Sequence, residues 1–241
     1  MFPADFTYAR AESLEHALSL LDEAQADGDE AKLLAGGQSL LPMMKLRLAA
    51  PQALVDIGGL TELQGVASDN GSTTIKALTT YRALQRDARV TAALPAMTDA
   101  LAVLADQQVR ARGTIGGCVA HGDPAADLPA VLLALDAQVT LTSSGGTRTT
   151  PLDRFLQGVF ATDLAEDEIL TAITLPAATA AGSAYEKFEQ PASHLPLAGV
   201  CAAVTIAGEV ITSARVAVTG VAARPFRALD RAVRRARGAA R

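Results

Sequence analysis

Residues 107–129 read QQVRARGTIGGCVAHGDPAADLP, and how this stretch is read decides how the rest of the chain is understood. Gly116 and Gly117 stand between Thr114-Ile115 and Cys118, where the missing side chains leave backbone N–H groups within reach of a ligand. Downstream, Asp123-Pro124 sets a side-chain acceptor before a proline suited to a first helical turn. The spacing of Leu128, Val131, Leu132 and Leu135 predicts a helix over 123–136. The positive end of its dipole would add to the N–H donors, so an anionic group such as phosphate suits this place. A second pair, in Ala35-Gly36-Gly37-Gln38-Ser39, follows the short apolar segment 32–34 and precedes another helical pattern. Two such loops imply one ligand held from both sides.

Outward from these loops, the chain alternates short helices with short strands. Ser13 is placed to cap a helix in which Leu14, Ala17, Leu18 and Leu21 form one apolar face. Residues 31–34 and 53–57 read as strands of one small sheet, closed by Gly58-Gly59, and a first subdomain ends there, over 1–57. Residues 63–67 and 73–78 flank Asn70-Gly71, the signal of a tight hairpin with positive φ. Two helices follow over 81–92 and 95–106. Beyond the glycine loop come a hairpin (139–142 with 147–150), a short helix at 151–157 and a strand at 168–175, so a second subdomain covers 58–176. The small residues of 177–182 read as a linker into an antiparallel meander at 185–188, 200–206 and 210–218.

Composition excludes several classes of function. With 241 residues and 49% hydrophobic residues the chain has ample material for a core. Its net charge is -5, yet residues 224–241 carry seven arginines and one aspartate, so the preceding residues sum to -11 and repel nucleic acid. No tryptophan and few other aromatics argue against base-stacking surfaces, and the arginine-rich end reads as a solvated helix or tail. Cys118 and Cys201 are far apart with no CxxC, which gives neither a metal site nor a disulfide framework. The apolar runs are too short to span a bilayer and no leader is evident, so the expected location is cytoplasmic.

Neither glycine pair matches the dinucleotide pattern GxGxxG or the phosphate loop GxxxxGK[ST]. His121 with Asp123 and Asp127 forms a weak metal set, because no second His or Cys lies nearby. Ser39 with His121 as base lacks the GxSxG elbow of a serine hydrolase. Lys187 falls on an apolar strand between Tyr185 and Phe188; it either snorkels or faces a ligand ring that accumulates negative charge.

Four segments carry a resemblance: AGGQSLLPMMKLRL (35–48), QVRARGTIGGCVAHGDPAADLPAVLLALDAQV (108–139), DEILTAITLP (167–176) and YEKFEQPASHLPLAGVCAAV (185–204). Together they resemble the FAD-binding medium subunit of the molybdenum hydroxylases, the family of xanthine dehydrogenase and aerobic carbon monoxide dehydrogenase. The resemblance implies an α+β fold: two subdomains of the PCMH type clasping FAD, then a small C-terminal domain over 177–241 that ends early. It implies an oxidoreductase subunit that passes electrons from the [2Fe-2S] clusters of a small subunit, supplied by a molybdopterin large subunit, through FAD to an external acceptor. The assembly would be a heterotrimer or a dimer of heterotrimers, with no nucleic acid and no membrane span. Carried over, Lys32, Leu33, Ala35, Gly36, Gly37, Gln38 and Ser39 would cradle FAD from the first subdomain. Thr114, Ile115, Gly116, Gly117 and Cys118 would do so from the second, the last standing where the family more often has Asn, Ser or Asp. His121 and Asp127 would be polar contacts, Ile169 and Leu170 would lie beside the isoalloxazine, and Lys187 near its pyrimidine side. Two rivals remain at this point: a self-contained FAD oxidase and a non-catalytic nucleotide-binding scaffold.

Overall fold

Three parallel strands open the computed structural model of the chain, which describes residues 2–177, 182–208 and 210–228. They are β1 (Thr7–Arg10), β2 (Ala31–Leu34) and β3 (Ala53–Asp56), in the order β1-β3-β2, joined through helices α1 (Leu14–Asp27) and α2 (Leu40–Lys45). Ser13 caps α1 by accepting the His16 N–H at 3.0 Å, and Gly28 ends it at φ 78°. Ala17, Leu18 and Leu21 are the buried face, as the spacing predicts.

The second unit is a five-stranded antiparallel sheet, β4-β5-β10-β6-β7, with helices on it. Hairpin β4 (Val66–Asp69) to β5 (Ser72–Lys76) turns at Asn70 and Gly71, at φ 48° and 81°, as the Asn-Gly pair predicts. The expected helix at 81–92 is two helices, α3 (Tyr81–Arg86) and α4 (Ala88–Ala93). Asp87 breaks it, because its carboxylate accepts the Arg89 N–H at 2.9 Å and so caps a new start. Then come α5 (Pro95–Val103), α6 (Gln107–Arg112), α7 (Ile115–His121) and α8 (Asp127–Ala134). Helix α8 begins four residues later than expected. Asp123 spends its side chain on the Ala125 N–H, 2.8 Å away, in a turn rather than in a helix cap. β6 (Gln138–Ser143), β7 (Gly146–Pro151), α9 (Leu152–Phe155), the small hairpin β8 (Leu156–Gly158) to β9 (Ala161–Thr162), and β10 (Ile169–Leu175) complete the unit.

A third sheet, β11 (Gly182–Glu189), β12 (Pro196–Ala207), β13 (Val210–Thr219) and β14 (Phe226–Arg227), is a plain antiparallel meander. Its inner residues Tyr185, Cys201, Ala203 and Ala217 join the core of the second unit. Linker residues 178–181 and residues 229–241, on which the expected early ending and most of the arginine-rich segment rest, lie outside the described residues.

Every residue of α8 is buried, and the helix packs between the third sheet and helices α5, α7 and α9. Its ends are held by the third sheet. Arg215 donates to the Ala134 carbonyl at 2.9 Å and to Asp136 at 2.5 Å, and Arg227 donates to the Leu133 carbonyl at 2.9 Å, so two cations sit at the negative end of the helix dipole. At the other end Asp127 accepts from the Tyr185 hydroxyl at 2.8 Å and pairs with Lys187 at 3.1 Å, both side chains almost fully buried. Lys187 also donates to the carbonyls of Val103, 2.7 Å, and His194, 2.9 Å. Burial pushes the Asp127 carboxyl above its ordinary range despite the nearby ammonium and phenol. Removing one partner alone would leave the other buried without its counter-charge.

Lys187→Met is expected to destabilise the protein by about 3–5 kcal/mol, because Asp127 is left buried without its counter-charge. Tyr185→Phe, which removes one hydrogen bond, is expected to cost about 1–2 kcal/mol. Urea unfolding of the purified variants measures both, and a Lys187→Met midpoint equal to wild type would show that the pair does not hold the third sheet.

Candidate functional site

Gly36 and Gly116 are the points where separate parts of the backbone meet. A methyl group built on Gly36 would overlap the Arg112 carbonyl, and one on Gly116 would lie 2.5 Å from the Ala77 side chain and 2.8 Å from its backbone. Gly36 thus lets the first unit close on the end of α6, and Gly116 lets α7 sit against the chain leaving β5. Between the units runs a cleft of about 570 Å³. Its first wall is the end of β2 and the turn into α2; its second is the start of α7, with Ile169 and Leu170 of β10.

All seven predicted residues of the first unit, Lys32, Leu33, Ala35, Gly36, Gly37, Gln38 and Ser39, line this cleft. Gly37 turns the chain at φ 74°, and the N–H groups of Gly37, Gln38 and Ser39 have no acceptor among the described residues. They precede α2 and are oriented donors. From the second unit Thr114, Gly116, Gly117, Cys118, His121, Ile169 and Leu170 line it too.

Three of the predicted residues do not reach the cleft. Ile115 is fully buried in the core. Asp127 and Lys187 are absent from the cleft lining and satisfy each other as described above.

The TIGG segment also departs from the expected donor loop: it is the first turn of α7. Thr114 is the cap, its hydroxyl accepting the Gly117 N–H at 3.2 Å and its carbonyl the Cys118 N–H at 3.0 Å. The Ile115 and Gly116 N–H groups go to the Thr79 and Ala77 carbonyls, at 3.1 and 2.8 Å. The glycines here therefore serve close packing and clearance, and the free donors come from the first loop. Nor do His121, Asp123 and Asp127 converge as a metal set, since Asp123 is in its own turn and Asp127 is committed to Tyr185 and Lys187.

Sequence reasoning passed over Tyr81, Phe160 and Glu168, which also line the cleft. Tyr81 lies under Gly113, where an added methyl would fall 2.5 Å from its ring, so the glycine preceding Thr114 was the available signal. Phe160, at φ 52° on the hairpin β8 to β9, packs its ring 4.9 Å from that of His121.

Burial favours the uncharged forms of Cys118, Tyr81 and His121, which line one side of the cleft. It pushes the Cys118 thiol up to about 12 and the Tyr81 phenol well above its ordinary value, with the neighbouring Cys118 adding to the latter. Desolvation lowers the His121 pKa, opposed in part by Asp123.

Residues 4–178 match the family model described as the FAD binding domain in molybdopterin dehydrogenase. The chain belongs to this family. It is 39% identical over 230 residues to the glyceraldehyde dehydrogenase medium chain of Sulfolobus acidocaldarius, covering 95% of this chain and 80% of that one. It is 41% identical over 223 residues to the carbon monoxide dehydrogenase medium chain of Hydrogenophaga pseudoflava, covering 92% and 77%. Among solved structures it superposes on a carbon monoxide dehydrogenase from Hydrogenophaga pseudoflava with a TM-score of 0.89 at 38% identity, covering 100% of this chain and 87% of that one. On quinoline 2-oxidoreductase from Pseudomonas putida 86 the TM-score is 0.88 at 30% identity, covering 94% and 78%. The chain is thus an FAD-binding oxidoreductase subunit of α+β fold, similar to the medium chains of multi-subunit dehydrogenases. Among the described residues no helix is long and apolar enough to cross a membrane.

A histidine whose folded pKa lies below its unfolded value of 6.5 withholds a proton that the unfolded chain accepts. The contribution of His121 is therefore intact above pH 6.5 and is lost as pH falls towards and through its lower folded pKa. Thermal midpoints should drop on acidification below 6.5, and His121→Asn should flatten that part of the profile. A variant with the same slope as wild type would place the effect elsewhere.

Proposed function

We propose that the cleft holds FAD between the first two units, residues 1–57 and 58–176, with residues 177–241 as a third unit behind them. The observation that carries this reading is the convergence of both glycine pairs on one cleft of about 570 Å³, large enough for most of a dinucleotide. The Gly37, Gln38 and Ser39 N–H groups would meet the pyrophosphate. Gly117 lines the opposing wall, where a methyl would press on the Thr114 Oγ1 at 2.8 Å and otherwise meet only Ala35 Cβ at 3.9 Å, so a larger side chain would both disturb the α7 cap and project towards the cofactor. Ile169 and Leu170, buried at the edge of the cleft, would lie beside the ring. Flavin, when bound, supplies the redox chemistry, taking up and releasing electrons one or two at a time. The residues around it orient it and exclude water.

In this reading the chain is the electron-transfer subunit of a molybdenum hydroxylase complex. It receives electrons from the [2Fe-2S] clusters of a small subunit, which draws them from a molybdopterin large subunit, and passes them through FAD to an external acceptor. The rival reading, a self-contained FAD oxidase, would need no partner subunit.

Affinity purification of the tagged chain from a host carrying its own gene neighbourhood tests the assembly. Iron and molybdenum should co-purify in fixed ratio with FAD, whereas a yellow chain free of both metals that oxidises a substrate with oxygen would support the oxidase. Gly117→Val is expected to leave a folded protein whose FAD affinity is reduced at least about tenfold, because the branched side chain enters the cleft. Fluorescence titration of the apoprotein measures it, and wild-type affinity would remove Gly117 from the site.

A further inference from the structure

One wall of the cleft is held in place by a residue that does not touch the cleft. Leu164, Ala165, Glu166 and Glu168 line it, in a segment with no regular secondary structure that leads directly into Ile169 and Leu170. Arg148, on β7 and absent from the lining, grips both ends of that segment. Its Nε and Nη2 donate to the two carboxylate oxygens of Glu168 at 2.5 and 2.7 Å. Its Nη1 donates to Asp163 Oδ2 at 2.8 Å, and Nη2 also to the Asp163 carbonyl at 2.5 Å. Glu168 in turn accepts the Ala165 N–H at 2.9 Å. One planar fork thus bridges the beginning and end of the segment while Glu168 ties its middle, an arrangement the single ammonium of a lysine cannot reproduce. The Glu168 carboxyl is held below its ordinary range, first by these bonds from Arg148, so the clamp stays charged at neutral pH. Arg148 is 42% exposed, so screening by water keeps its contribution to global stability small. Its effect falls on the order of a segment that has few other ties.

We propose that Arg148 is a positioning residue for the flavin: by clamping Asp163 and Glu168 it fixes segment 163–168 as the wall that closes the cleft beside Ile169 and Leu170 and keeps water from the bound cofactor. The inference rests on the reading of the cleft as the FAD site.

The experiment compares wild type, Arg148→Met, Arg148→Lys and Asp163→Asn. Each apoprotein is titrated with FAD, the bound flavin is exposed to iodide as a collisional quencher, and the apoprotein is unfolded thermally. Arg148→Met should bind FAD about tenfold more weakly, with greater iodide quenching and an apoprotein midpoint close to wild type. Arg148→Lys should restore only part of the affinity, and Asp163→Asn, which keeps the paired bonds to Glu168, should lie between. If Arg148→Met does not fold, the lysine and asparagine variants carry the same comparison. Wild-type affinity and quenching in the variants would overturn the role of Arg148 alone, as would full rescue by lysine. Failure of the wild-type chain to bind FAD would instead overturn the reading of the cleft.

Discussion

The contact between Gly36 and the Arg112 carbonyl is the constraint on which the geometry of the site depends. Two backbones approach so closely there that no side chain fits between them, so the first unit has one way to close on the second. The same logic recurs at Gly116 against Ala77, and at Gly113 against the Tyr81 ring. Three glycines thus set the spacing of β2 against α6, of α7 against β5, and of the α6–α7 turn against α3. The cleft is what remains between these elements once they have closed. Its shape is a consequence of packing, and the donors at Gly37, Gln38 and Ser39 are aimed by that packing and by the turn into α2, where the Gly37 and Ser39 carbonyls accept the Leu41 and Met43 N–H groups, each at 3.2 Å.

Much of this was legible in the residues, and the exceptions have physical causes. Helix α1 could be read from Ser13 and three buried positions, and the hairpin of β4 and β5 from Asn70-Gly71, because local chemistry alone decides them. The pairing of AGGQS with TIGG across one cleft was also legible. What the second motif does was not. A glycine pair that frees N–H groups and one that permits close helix packing look alike in sequence, and only the positions of Ala77 and Thr79 separate them. Lys187 was misplaced for a similar reason. A lysine on an apolar strand signals that a buried cation needs a partner, and its partner proved to be Asp127 of the same chain.

That pairing joins the third sheet to the cleft without entering it. Asp127 lies behind the floor, close enough that its charge helps raise the pKa of both Cys118 and Tyr81. Arg215 and Arg227 fix the far end of α8, while Tyr185 and Lys187 fix the near end. A shift of the third sheet would therefore pull on α8 and move a buried charge beneath the floor. In a medium of low polarity such a displacement is felt over several ångströms.

In the proposed reading, Cys118, Tyr81 and His121 would meet a cofactor with dipoles and not with charges. The thiol, phenol and imidazole all favour their uncharged forms, each chiefly because burial penalises ionisation. A pyrophosphate bound in such a place relies on oriented N–H groups at the start of α2, whose strength grows as water is excluded. Water exclusion would in turn depend on the irregular segment between Asp163 and Glu168. Rigid glycine contacts on one side and a single guanidinium on the other thus act on the same quantity, the polarity of the space between them.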